Sequence, residues 1–130
     1  MHKKWDIVIA LVALAALAPS SSQGPELKSV MREKLGYTQK LLEAVVTSDW
    51  ASAETSSREL DQLTNDPRWM VLKYPEYARY SAAFVQAVRD LRAAAGQRDL
   101  DRTPKAFTEV TLRCVECHRY LARARIAGQR

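Results

Sequence analysis

The chain has 130 residues, 47% of them hydrophobic and 27% charged, and its net charge is +5 at pH 7. This length is sufficient for one domain with a core of its own. The basic excess is too weak to be typical of a nucleic-acid-binding protein, so no nucleic-acid partner is expected.

The N-terminus has the pattern of an export signal. A basic segment at residues 2–4 precedes an unbroken apolar run at residues 7–18, and small or turn-forming residues follow it. The run is shorter than the roughly 20 residues that span a bilayer, and its flanks are those of a secretory signal. We predict a signal peptide at residues 1–22 and a single periplasmic domain at residues 23–130, with an uncleaved membrane anchor as the alternative.

Four helices are predicted in the mature region, because apolar residues recur with a 3.6-residue period and no run alternates with period two. The first helix begins near Pro25 and ends near Val46. Its expected buried face consists of Leu27, Val30, Met31, Leu35, Leu42 and Val45. The second helix follows Ser48 and Asp49, either of which can cap it, and stops at residues 65–67.

An apolar connection at residues 67–75 separates these helices from two more. The third helix is expected to begin at Pro75 and to stop at Gly96. The fourth is expected to have Thr103 as its cap, with Pro104 behind it. Its apolar stripe consists of Phe107, Val110, Cys114, Cys117, His118 and Leu121. Four amphipathic helices with short connections predict an all-α fold, an antiparallel four-helix bundle.

The fourth helix contains Cys114-Val115-Glu116-Cys117-His118, the C-x-x-C-H spacing that attaches a c-type haem. Two thiols add to the two vinyl groups of one porphyrin, so they must lie on the same side of the backbone, as helix positions i and i+3 do. His118 then lies one turn from Cys114, with its imidazole available to the iron. The spacing predicts one covalently attached haem c, bound toward one end of the bundle.

Two other kinds of site use the same residue types. A disulfide between Cys114 and Cys117 would close a very short loop and restrain little of the unfolded chain, and the sequence lacks the βαβ pattern of a thioredoxin-like motif. A zinc ion usually has four protein ligands, or three and a water, and the chain has no second Cys/His pair. Haem attachment agrees with the export signal, because bacteria attach the haem outside the inner membrane. Haem-attachment machinery is therefore an expected partner.

A four-helix domain with C-x-x-C-H near its C-terminus resembles the class II cytochromes c, the cytochrome c-prime family, and the likeness extends over nearly all of residues 23–130. The resemblance implies thioether bonds at Cys114 and Cys117 and an axial iron ligand at His118. Many members carry a basic residue four positions after that histidine, where this chain has Ala122. Members often form dimers through their first two helices, which leaves a homodimer open.

Composition restricts the second axial ligand. His118 is the only histidine of residues 23–130, and the methionines there are Met31 and Met70. In an up-down-up-down bundle Met31 lies at the level of His118, and Met70 is in a connection that reaches the same end. Low-spin members of the family use a methionine in the first helix, at a position that resembles Met31. The candidates for the sixth position are Met31, Met70 or no residue of the chain.

A His/Met pair saturates the iron and raises its potential, which is the chemistry of an electron carrier and not of an enzyme. We expect a periplasmic monohaem cytochrome with His118 and Met31 as axial ligands, which exchanges electrons with redox partner proteins. A five-coordinate protein that binds nitric oxide or carbon monoxide is the alternative. The arginines near the end of the fourth helix either offset its dipole or form a docking patch for an acidic redox partner.

Overall fold

The computed structural model describes residues 23–128, in which every regular element is a helix. The elements are α1 (Gln23–Thr47), α2 (Trp50–Leu63), a 3₁₀ helix (Pro67–Met70), α3 (Pro75–Gly96) and α4 (Arg102–Ala127). The predicted all-α class with four helices is confirmed for this part of the chain. None of these helices combines the length and the apolar character that crossing a bilayer requires. The predicted signal peptide, residues 1–22, lies outside the described residues.

Aspartate side chains cap the N-termini of the two shorter helices. The amide N–H of Ser52 donates to Asp49 Oδ1 at 3.1 Å, so Asp49, one of the two predicted candidates, caps α2. The 3₁₀ helix is capped in the same way, since the Arg68 N–H donates to Asp66 Oδ1 at 2.8 Å. Pro75 begins α3, a position where proline loses no helical hydrogen bond. Asp66 thus lies within the connection between α2 and α3, and Pro75 ends it.

The start of α4 contradicts the prediction that Thr103 is its cap. Thr103 lies within the first turn and is 1% exposed, and its hydroxyl has no hydrogen-bond partner among the described residues. The Asp99 carboxylate supplies the acceptor instead, at 2.8 Å from the Arg102 nitrogen and 3.0 Å from the Asp101 nitrogen. An aspartate caps a helix at least as well as a threonine, so the acceptor that comes first in the chain takes this role.

The core lies where the four helices meet, and each of them contributes to it. Its largest cluster consists of Val30 and Leu41 from α1, Leu60 and Leu63 from α2, Trp69 from the 3₁₀ helix, Phe84, Ala87, Val88 and Leu91 from α3, and Val110 from α4. Helix α1 contacts both α2 and α4, and α3 also contacts both of them. The contact between α3 and α4 is more extensive than that between α1 and α4.

The buried face of α1 is rotated relative to the face that the sequence predicts. Leu35 and Leu42 are 57% and 51% exposed, whereas Leu41 and Ala44 are buried. Helix α1 has two apolar rows about 100° apart, and the row that contains Val30 and Leu41 lies in the core. The expectation that Leu35 and Leu42 belong to the core is therefore wrong.

Two neighbouring leucines of α1 test this orientation. Leu41→Ala leaves a cavity in the core and is expected to lower the free energy of unfolding by about 2–5 kcal/mol. Leu42→Ala is expected to change it by less than about 0.5 kcal/mol, because that side chain is largely exposed. Denaturant titration followed by circular dichroism measures both values, and equal losses would contradict the orientation of α1.

Candidate functional site

Cys114 and Cys117 lie one turn apart on α4, and both side chains are half-buried with free thiols. Cys114 packs against the main core cluster. Burial raises the pKa of the Cys117 thiol above its usual value, although the nearby Lys34 ammonium acts in the opposite direction. Cys117 is therefore a protonated thiol near neutral pH, on the same side of the helix as Cys114.

His118 is exposed, at the edge of the buried stripe of α4. Each residue of an α-helix advances by about 100°, so His118 lies about 40° further round the helix than Cys114. Cys114, Cys117 and Leu121 stay half-buried while His118 borders solvent. The burial of the two cysteines thus agrees with the predicted apolar stripe of α4, whereas the exposure of His118 does not.

Two cavities border the motif. The larger has a volume of about 440 Å³, within the range of roughly 300–1,000 Å³ that is common for ligand sites, and it lies between α1 and α4. The smaller, of about 50 Å³, extends to the aromatic side chains of α3 and the 3₁₀ helix. Met31, Lys34 and His118 line both cavities. These three residues therefore lie at the centre of the candidate site.

A wider groove, of about 690 Å³, lies between α1 and α2. Its walls are largely polar and include Glu43, Asp49 and Glu59. It contains no histidine, cysteine or methionine, the residue types that ligate a haem iron. The smaller and more apolar cavities beside His118 are the better candidate for a cofactor.

Met31 is the methionine that the fold brings to the motif. It lines both cavities together with His118, and its side chain packs against the core. Met70, at the end of the 3₁₀ helix, is 41% exposed and lines neither of these cavities. This placement favours Met31 over Met70 as the residue that would ligate an iron together with His118.

Lys34 belongs to the same site, although the sequence prediction does not include it. It is 7% exposed and lies four residues after Val30 and three after Met31. Residues at these spacings share one side of a helix. The helical spacing therefore indicates a buried position for Lys34, although a charged side chain is rarely expected there.

The environment of Lys34 is aromatic. Its Nζ lies 3.5 Å from the ring centroid of Phe84 and 4.8 Å from that of Trp69, which allows cation–π attraction to both. Burial lowers the pKa of Lys34, and the neighbouring Cys114 and Cys117 act to raise it. The site thus combines a buried ammonium, two thiols and two aromatic faces.

The 3₁₀ helix forms the aromatic wall of the site. Trp69 stacks on Phe84 with 5.4 Å between ring centroids, and the Tyr77 hydroxyl donates to the Trp69 carbonyl. Arg68 holds the same segment against α1 through an ion pair with Glu33 at 3.2 Å. The wall is therefore fixed to both α1 and α3.

A basic aromatic patch lies beside the smaller cavity. Arg79, Arg119 and Arg123 surround Tyr80 and Tyr120, whose ring centroids are 5.4 Å apart. The Arg79 guanidinium lies 4.4 Å from the Tyr80 centroid, and Tyr80 also lines the smaller cavity. Arg119 lies about two turns before the end of α4, where the helix dipole has little influence. This placement favours the docking explanation for Arg119, whereas Arg125 lies in the last turn, where a cation offsets the helix dipole.

Among residues 23–128, no group of three or more histidine, cysteine, aspartate or glutamate side chains is arranged to hold a metal ion. Comparison of the chain with protein-family models, curated protein sequences and solved structures returned no match. A functional assignment therefore depends on the residues and the geometry of this chain.

Replacing Lys34 by methionine should stabilise the chain prepared without a cofactor. The change removes a buried ammonium and leaves an apolar side chain of similar length. We expect the free energy of unfolding at pH 7 to rise by about 1–3 kcal/mol. Lys40→Met, at an exposed position of the same helix, is the matched control and should have little effect.

The gain should shrink as the pH rises toward the usual lysine pKa of about 10.4. Because the pKa of Lys34 is lowered in the folded chain, the unfolded chain binds more protons in this range, and the parent gains stability with pH. Denaturant titrations at pH 7 and pH 10 measure the difference. A loss of stability in Lys34→Met at pH 7 would contradict the expected cost of the buried charge.

Proposed function

We propose that this chain is an exported monohaem c-type cytochrome of the class II, c-prime kind, and that it transfers electrons. Its four helices would form an antiparallel bundle with the haem toward one end. One observation carries the proposal: the attachment motif at Cys114, Cys117 and His118 lies beside Met31, at the same two cavities.

The donor set of this site suits a haem. Cys114 and Cys117 are free thiols on one side of a helix, as two thioether bonds require. His118 and Met31 supply the nitrogen and the thioether sulfur that form the axial pair of many cytochromes c. When bound, a haem supplies one-electron redox chemistry, and the protein tunes its potential.

Each part of the chain has a distinct role under this proposal. The cysteines would hold the cofactor covalently, and His118 and Met31 would supply a nitrogen and a sulfur ligand to its iron. Ligation by both would leave no open position, which favours electron transfer over the binding of nitric oxide or carbon monoxide. The buried rings of Trp69 and Phe84 keep water from one side of the site. Because solvent access sets the local dielectric constant, this exclusion of water would help to set the reduction potential of a bound haem.

The contacts between the helices support the bundle. Each helix contacts the next in the chain, and α1 also contacts α4, as in four antiparallel helices joined by short connections. The basic aromatic patch supports an acidic redox partner, because complementary charge guides the encounter of two proteins. Export to the periplasm is supported by the basic and apolar segments within residues 1–22.

Covalent attachment is the first consequence to test. The chain expressed with bacterial haem-attachment machinery is expected to keep one haem after denaturation, whereas the Cys114→Ser, Cys117→Ser double variant is expected to keep none. Intact-mass measurement of the denatured protein decides this. The parent chain expressed without the machinery is the control. A parent chain that carries no covalent haem would overturn the proposal.

The two methionines provide a matched test of axial ligation. Met31→Ala is expected to convert a low-spin visible spectrum to a high-spin one that responds to carbon monoxide, because the sixth position opens. Met70→Ala is expected to leave the low-spin spectrum unchanged, since this side chain lines neither cavity. If the parent is already high-spin and binds carbon monoxide, the electron-transfer assignment is wrong.

A further inference from the structure

The Lys34 ammonium is buried against the attachment motif. The residue is 7% exposed, and its Nζ lies 3.5 Å from the ring centroid of Phe84 and 4.8 Å from that of Trp69. Cys114 and Cys117 lie close enough to act on the pKa of Lys34. A haem bonded to both sulfurs would therefore have its thioether-bonded edge beside this ammonium.

No carboxylate in the described part of the chain forms an ion pair with Lys34, since every ion pair there is made by an arginine. Glu33, its neighbour in the chain, pairs with Arg68 at 3.2 Å. Arg113, a second cation at the smaller cavity, pairs with Glu116 at 2.8 Å. The charge of Arg113 is thus balanced by an acid of this chain, whereas that of Lys34 is not.

This charge would also stay unbalanced beside a bound haem. Thioether sulfurs are uncharged, and the propionates of a haem are on the edge opposite the vinyl groups, so neither brings an anion to Lys34. An ammonium without a counter-charge in an apolar site lowers the stability of the fold, and attraction to the two aromatic rings offsets only part of this loss. Features that weaken a fold are commonly kept at functional sites. The field of this cation is therefore a candidate for a role in the chemistry of the site.

On the basis of the proposed function, we propose that Lys34 raises the reduction potential of the haem and thereby favours the reduced carrier. One electron from a redox partner converts ferric to ferrous iron, so the net charge of the cofactor falls by one unit. A fixed cation repels the ferric form more than the ferrous form, and this difference is larger in a site of low dielectric constant than in water. Lys34 acts on the iron through its charge, and His118 and Met31 remain the proposed ligands.

Two other cations lie near the site but differ from Lys34 in exposure. Lys28 and Arg32 line the larger cavity, and both side chains are exposed. Water and salt screen an exposed charge far more than a buried one. Lys28 therefore serves as the matched control for Lys34, because it has the same charge, the same helix and the same cavity but is not buried.

Redox titration of the covalently loaded full chain tests this role. Lys34→Gln is expected to lower the equilibrium constant for reduction by about tenfold, which corresponds to about 59 mV for one electron. Lys34→Arg should stay close to the parent, because the positive charge is kept. Lys28→Gln should change the constant by less than about twofold, since solvent screens that charge. Lys34→Leu, which is neutral and apolar like the walls of the site, gives a second measurement of the same loss.

Salt separates the effect of a buried charge from that of an exposed one. Between about 0.01 M and about 1 M ionic strength the Debye length falls from roughly 30 Å to roughly 3 Å. The difference in potential between Lys34→Gln and the parent should keep most of its size over this range, whereas any difference made by Lys28→Gln should disappear. Visible spectra of the variants that match that of the parent show that the axial ligands are the same.

Three results would overturn the role of Lys34 and leave the haem proposal standing. The first is a potential that is equal in the parent and in both neutral variants. The second is a fall in Lys34→Arg as large as that in Lys34→Gln, because packing and not charge would then be the cause. The third is failure of both neutral variants to load a haem or to keep the axial ligands of the parent. A parent chain whose intact mass shows no covalent haem would instead overturn the proposed function itself.

Discussion

The stacking of Trp69 on Phe84 attaches the connection between α2 and α3 to the core, and the candidate site takes its shape against these rings. The Tyr77 hydroxyl holds the Trp69 carbonyl, and Arg68 ties the same segment to α1. The Lys34 ammonium lies against the same two rings. Without this contact the apolar connection would be exposed to water, and the lysine would lose the surfaces that make its burial tolerable.

The helices could be predicted from the sequence because their ends carry strong local signals. The Asp49 cap and the proline at position 75 act through their own backbone neighbours, so the structure reproduces them. The motif at the candidate site is equally local, since Cys114, Cys117 and His118 lie within five consecutive positions of one helix. Such a motif can be recognised without knowing how distant parts of the chain pack.

Features that depend on packing between helices were harder to predict. Helix α1 has two apolar rows, and only its contacts with other helices decide that Leu41 is buried and Leu42 exposed. Lys34 lies on the buried side, where a charged residue is rarely expected. The Thr103 cap failed for a local reason instead, because the Asp99 carboxylate accepts from the Arg102 nitrogen and the helix begins before Thr103. For Leu41 and Lys34 the residue types fitted two arrangements, and the packing of the helices selected one.

The burial of Trp69 also makes it an optical reporter. An indole beside a haem transfers its excitation energy to the porphyrin, so the fluorescence of this residue would fall when the cofactor enters the site. Trp50, at the start of α2, lines neither of the cavities beside His118 and stays half-buried. In a Trp50→Phe variant, the emission of Trp69 alone would report the binding of a haem at the proposed site, without any label.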